Sequence, residues 1–101
     1  MDKDMDRRIY LNNLYDYYKG LFTEKQQEYF EEYYYNNLSL SEIAENNNVS
    51  RNAVHNQVKI VETRLEELES ILGLYNKKEQ IIDLIFNEVS EQTLEKVENL
   101  L

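Results

Sequence analysis

Apolar residues recur along this chain at helical spacing from near its start to its end. In the first third, Tyr10, Leu11, Leu14, Tyr17, Tyr18 and Leu21 predict a helix from Ile9 to Leu21. Gly20 stands where such a helix would take a left-handed C-cap. Thr23 followed by Gln26 is a capping-box pattern and predicts a second helix to about Tyr35, with Tyr29, Phe30, Tyr33 and Tyr34 on one side. Asn36 and Asn37 end it.

The pattern then tightens. Ser39 with Glu42 is a second capping box, and Leu38 and Ile43 occupy the positions of a hydrophobic staple over it. Ser50 caps the next helix, with Val49 and Val54 in the same staple positions. Between the two lie Asn46, Asn47 and Asn48, the residue type besides glycine that best tolerates left-handed backbone. Two short-range helix starts joined by such a turn, with Ile43, Ala44, Val49, Val54 and Val58 as the packing points, predict a helix-turn-helix.

The helix that opens at Arg51 is long. Val54, Val58, Val61, Leu65, Leu68 and Leu72 form a heptad-like seam that Gly73 is the first residue to interrupt. This seam must pack on the N-terminal helices, on the tail, or on a second copy in a homodimer. A further helix is expected from about Lys77 to Val89, and Ser90 caps a last short one carrying Leu94, Val97 and Leu101. The fold class is all-α, five or six helices without a strand. Residues 1–75 read as a helix-turn-helix domain, and residues 76–101 as a helical extension packed on that domain or on a second subunit.

Composition agrees and narrows the chemistry. There is no proline and no cysteine and there are only two glycines, which favours long helices and excludes disulfides and thiolate metal sites. No apolar run approaches the roughly 20 residues of a membrane span, and the charged start MDKDMDRR is not followed by a signal-peptide core. A cytoplasmic protein is expected. Net charge is −9, and it is uneven. Residues 1–60 hold 7 Lys and Arg against 10 Asp and Glu, whereas residues 61–101 hold 4 against 10.

On the helix after Ser50, a rotation of about 100° per residue turns the valines one way and gathers Arg51, Asn52, His55, Asn56 and Lys59 on the other side. Arg and Lys reach guanine or phosphate, and Asn bonds adenine in two places. These five are the candidate nucleic-acid or partner-binding residues, although an ordinary solvated helix face has the same composition. The single histidine, with no partner in the pattern, indicates neither a metal site nor a catalytic base. No nucleophile–base pair, phosphate loop or cofactor fingerprint can be assembled, so no enzyme activity, cofactor or metal is expected. The clustered tyrosines fit a core, with Tyr15 and Tyr35, off the main stripe, as the exposed aromatic candidates. Glu66, Glu67 and Glu69 read as a solvated acidic face.

The segment SLSEIAENNNVSRNAVHNQV resembles the helix-turn-helix of sigma-factor region 4. A longer stretch, to about residue 75, resembles the YlxM family of small bacterial helix-turn-helix proteins. It does so through the Leu-Tyr-Asp-x-Tyr run at Leu14, the Leu-Phe-Thr-x-Lys-Gln run at Leu21 and the Tyr-Tyr-x-x-x-Leu-Ser-Leu-x-Glu-Ile-Ala run at Tyr33. The resemblance implies an all-helical fold and a regulatory or accessory role in the signal recognition particle pathway. The partners it implies are the particle's GTPase, its RNA, or both. The alternative from the residues is a DNA-binding regulator that uses the recognition helix.

Overall fold

The structure, a computed structural model, describes residues 3–101. It is all-helical: α1 (Lys3–Tyr18), a 3-10 turn (Lys19–Leu21), α2 (Glu24–Tyr34), α3 (Leu40–Asn47), α4 (Arg51–Leu72), α5 (Leu74–Ile85) and α6 (Glu91–Leu100). No strand occurs among the described residues, and none of their helices is long and apolar enough to cross a membrane.

The predicted helix caps at Thr23, Ser39, Ser50 and Ser90 form as expected. Thr23 Oγ1 accepts the Gln26 N–H while Gln26 accepts the Thr23 N–H. Ser39 and Glu42 repeat that exchange, and the bond lowers the Glu42 pKa by favouring its carboxylate. Ser50 and Ser90 accept the N–H groups of Ala53 and Thr93. Each cap satisfies a donor that the helix itself cannot.

Helix α4 is the axis of the molecule, about 33 Å long at 1.5 Å per residue. It packs against α1, α2 and α3. Val54, Val58, Val61, Leu65 and Leu68 are buried, so the heptad-like seam is used inside the chain. Leu72, at its end, is 43% exposed. Opposite lie Leu11, Leu14, Tyr15 and Tyr18 of α1, Tyr29, Phe30 and Tyr34 of α2, and Ile43 and Ala44 of α3. Tyr15 stacks on Phe30 at 4.2 Å and Phe30 on Tyr34 at 4.3 Å, and the Arg8 guanidinium lies 4.5 Å from the Tyr34 ring centre.

Several local expectations are corrected. Helix α1 begins at Lys3, not Ile9, because Arg7 pairs with Glu66 at 2.6 Å and Arg8 donates to the Tyr33 carbonyl. Gly20 is no left-handed cap: the chain tightens into the 3-10 turn there, and Gly73 is the positive-φ glycine. Tyr15 is fully buried instead of exposed, since α2 covers its side of α1. Tyr10, expected inside, is half-exposed and meets the ring of Tyr75 edge-on. Tyr35 is exposed as expected. Glu69 leaves the acidic face: it is buried, and the expected solvated cluster reduces to Glu66 and Glu67. Helix α5 runs three residues earlier than expected at its start and four earlier at its end.

Candidate nucleic-acid interface

The interface is built by the turn between α3 and α4. Asn48 adopts φ 56° and ψ 45°, the left-handed conformation foreseen for this asparagine run. That reversal lets the Val49 N–H reach the Ala44 carbonyl at 3.0 Å and the Asn48 N–H reach Glu45. Ser50 then restarts the chain as α4. Ile43 and Ala44 pack into Val54 and Val58, the small Ala side chain permitting close approach. Asn47 locks the arrangement from outside, donating to Glu32 of α2 at 3.2 Å and to the Ile43 carbonyl at 2.8 Å.

These contacts decide which side of α4 faces outward. Arg51, Asn52, His55, Asn56 and Lys59 are all exposed on its first half. None of the five makes a side-chain hydrogen bond or ion pair with another described residue. Among the described residues, Lys77 and Lys96 of the C-terminal helices are likewise without a carboxylate partner, but the other cations around the helix-turn-helix are engaged. Arg7 holds Glu66, Lys19 holds Glu31, Lys25 holds Glu28 and Arg64 holds Glu67. Arg8 is engaged with Tyr33 and Tyr34. Arg51 and Lys59 are thus donors without acceptors, set about two turns apart on one helix.

A groove opens where α2, α3 and α4 meet, lined by Tyr33, Leu40, His55, Val58, Lys59 and Glu62. The Tyr34 hydroxyl donates to the Glu62 carboxylate, so this acid is already engaged on its inner side. Gln57, which was not singled out from sequence, accepts from Gln26 at 3.3 Å and ties α4 to α2. Nothing in the spacing of Gln57 could have indicated this contact, because it spans 31 residues. No group of His, Cys, Asp or Glu among the described residues could hold a metal ion.

Comparison with known proteins completes this picture. The family model described as "Putative helix-turn-helix protein, YlxM / p13 like" matches residues 5–100. The chain belongs to that family, UPF0122. A UPF0122 protein of Halalkalibacterium halodurans is 40% identical over 91 residues, covering 87% of this chain and 84% of the relative. One from Fusobacterium nucleatum subsp. nucleatum is 40% identical over 102 residues, covering 96% and 98%. One from Oceanobacillus iheyensis is 43% identical over 81 residues, covering 80% and 77%. The match of UPF0122 extends beyond the helix-turn-helix, through α5 and to the end of α6.

Proposed function

We propose that this chain is a regulatory helix-turn-helix protein that binds nucleic acid through the first half of α4. The observation that carries this reading is the exposed, unpaired set Arg51, Asn52, His55, Asn56 and Lys59 on a helix whose other side is locked into the core. Arg51 and Lys59 supply phosphate or guanine contacts, and the two asparagines supply the paired donor and acceptor that adenine requires.

The proposed target is the signal recognition particle, on its RNA, its GTPase, or both. The resemblance to YlxM proteins supports this target, and so does charge. A chain of net charge −9 is repelled by bare nucleic acid but attracted to a basic RNA-binding protein. The reading residues then contact RNA while the acidic surface meets the protein that carries it.

A second reading is a duplex-DNA regulator, favoured by the position of the five residues at the start of the second helix of the motif, where a recognition helix enters the major groove. Fluorescence-anisotropy titration separates the two. Labelled particle RNA, alone and loaded with its GTPase, is compared with random duplex DNA. Tight binding to the loaded particle and weak binding to DNA supports the first reading. Binding to DNA alone supports the second, and binding to neither removes the first and makes a search for a specific duplex target the next step.

A further inference from the structure

The buried seam of α4 is spent inside the chain, yet α4 carries a second stripe left in water. Ile60, Arg64, Glu67 and Ile71 recur at steps of 4, 3 and 4, and they fall within about 60° of one another around the helix. Ile60 is 48% exposed and Ile71 is 74% exposed. Arg64 and Glu67 bond each other at 3.1 Å with both side chains 54% exposed. A shallow groove lies beside each isoleucine, one bounded by Lys59, Thr63 and Arg64, the other by Thr63, Glu67 and Ser70.

The stripe is a palindrome. Ile60 and Ile71 are equidistant from the midpoint between Leu65 and Glu66, and so are Arg64 and Glu67. A two-fold axis through that midpoint runs α4 antiparallel to its copy. It sets Ile60 of each chain against Ile71 of the other, and Arg64 of each against Glu67 of the other. Each isoleucine enters the groove beside its opposite number, as a knob enters a hole. We propose that a second copy of this chain covers the stripe, with α4 packed antiparallel on α4 about this axis. An isologous contact requires such self-complementarity. Charge also selects direction: a parallel pair in register would set Arg64 on Arg64 and Glu67 on Glu67, a like-charge arrangement that disfavours it.

The pairing has a consequence for the reading face. Around α4 the buried seam centres about 110° to one side of the stripe, and the five reading residues centre about 120° to the other. A two-fold axis perpendicular to the paired helices therefore brings both reading faces to the same side of the dimer. The two His55 positions are then about 32 Å apart along the helix direction at 1.5 Å per residue. One turn of duplex DNA is about 34–36 Å. This spacing rests on the duplex-binding reading above; the pairing of α4 with itself does not.

The absence of native cysteine makes the test clean. The Ile60→Cys and Ile71→Cys variants are prepared separately, checked for helical content, then mixed and oxidised. A disulfide-linked dimer is expected in the mixture and not in either variant alone, since like positions lie about 16 Å apart along the axis. Arg64→Glu or Glu67→Arg alone should shift the chain to monomer in sedimentation equilibrium, and the two together should restore the dimer. A monomeric wild-type chain at high micromolar concentration, or crosslinking of Ile60→Cys with itself, would overturn the pairing. A dimer with the expected crosslink that binds no duplex would keep the pairing and remove only the duplex reading.

Discussion

The hydroxyl of Tyr18 donates to Glu69 at 2.7 Å, and together these two residues build the start of α5. Gly73 sits at the N-cap of that helix with φ 61° and has no side chain to accept the orphan N–H groups. Tyr18 Oη accepts the Leu74 N–H at 3.3 Å. Glu69 accepts those of Tyr75 at 3.2 Å and Asn76 at 2.9 Å. A residue of α1 and a residue of α4 thus cap α5 between them. The carboxylate is buried because three donors replace the water it loses.

Removing that acceptor should be costly. Glu69→Ala leaves a phenol and two backbone N–H groups without a partner, and should destabilise the fold by about 2–4 kcal/mol. Tyr18→Phe keeps the ring and should cost about 1–2 kcal/mol. Urea unfolding followed by circular dichroism measures both. A double variant that loses less than the sum of the single losses shows that the two act as one cap.

Alkaline pH should dissolve the core from its tyrosines. Burial first, then the hydrogen bond to Glu69, pushes the Tyr18 pKa up to about 12. Burial and the carboxylates of Glu31 and Glu62 push Tyr15 and Tyr34 up as well. An unfolded tyrosine titrates near 10. A group whose pKa is raised by folding contributes stability that is complete below the unfolded value and is lost as pH rises through the folded one. The chain should therefore keep its stability to about pH 10 and lose it progressively up to about pH 12. Phenolate absorbance should show Tyr15, Tyr18 and Tyr34 ionising together with the loss of helical signal. Ionisation of every tyrosine near pH 10 with the helices intact would contradict this.

The turn of the motif offers a backbone test. Asn48→Gly should leave stability unchanged or slightly raised, because glycine adopts φ 56° without strain. Asn48→Ala should cost about 1 kcal/mol. A thermal melt in which the alanine variant matches the glycine variant would argue against strain at this position.

At the reading face, Arg51→Ala and Lys59→Ala should weaken nucleic-acid binding while leaving the melting temperature unchanged, since neither side chain holds a protein partner. For duplex DNA, each lost phosphate contact should reduce the slope of log affinity against log salt by about 0.9. An unaltered slope in both variants would place the contact elsewhere on the surface.

For the particle reading, Glu66→Lys should slow association with the loaded particle without unfolding the chain, because Glu66 is exposed and the pair it gives up with Arg7 lies at the surface. Glu69→Lys would not serve, since it buries a cation against backbone donors. Stopped-flow association rates at low and high salt provide the measurement, with a salt-sensitive fall expected for Glu66→Lys.

Much of this was legible in the chain because the signals are local. Capping boxes at Thr23 and Ser39, caps at Ser50 and Ser90, left-handed Asn48 and the valine–leucine seam each act within a few residues. The exposure of Arg51, Asn52, His55, Asn56 and Lys59 follows from the same periodicity. Periodicity names a stripe but not what covers it. It could not assign the seam to α1, α2 and α3 instead of a second copy, nor could it bury Tyr15.

An all-helical chain, the helix-turn-helix and the side of α4 that faces outward followed from local signals, because turn chemistry and helical period are fixed by near neighbours. That Glu69 is a buried cap, and that Tyr15, Tyr34 and Tyr18 bond carboxylates 16, 28 and 51 residues away, came only from the packed fold. It also decided that no other described helix of the same chain covers Ile60 and Ile71. Those outcomes depend on which helices meet, and the meeting is set by shape and burial summed over the whole chain.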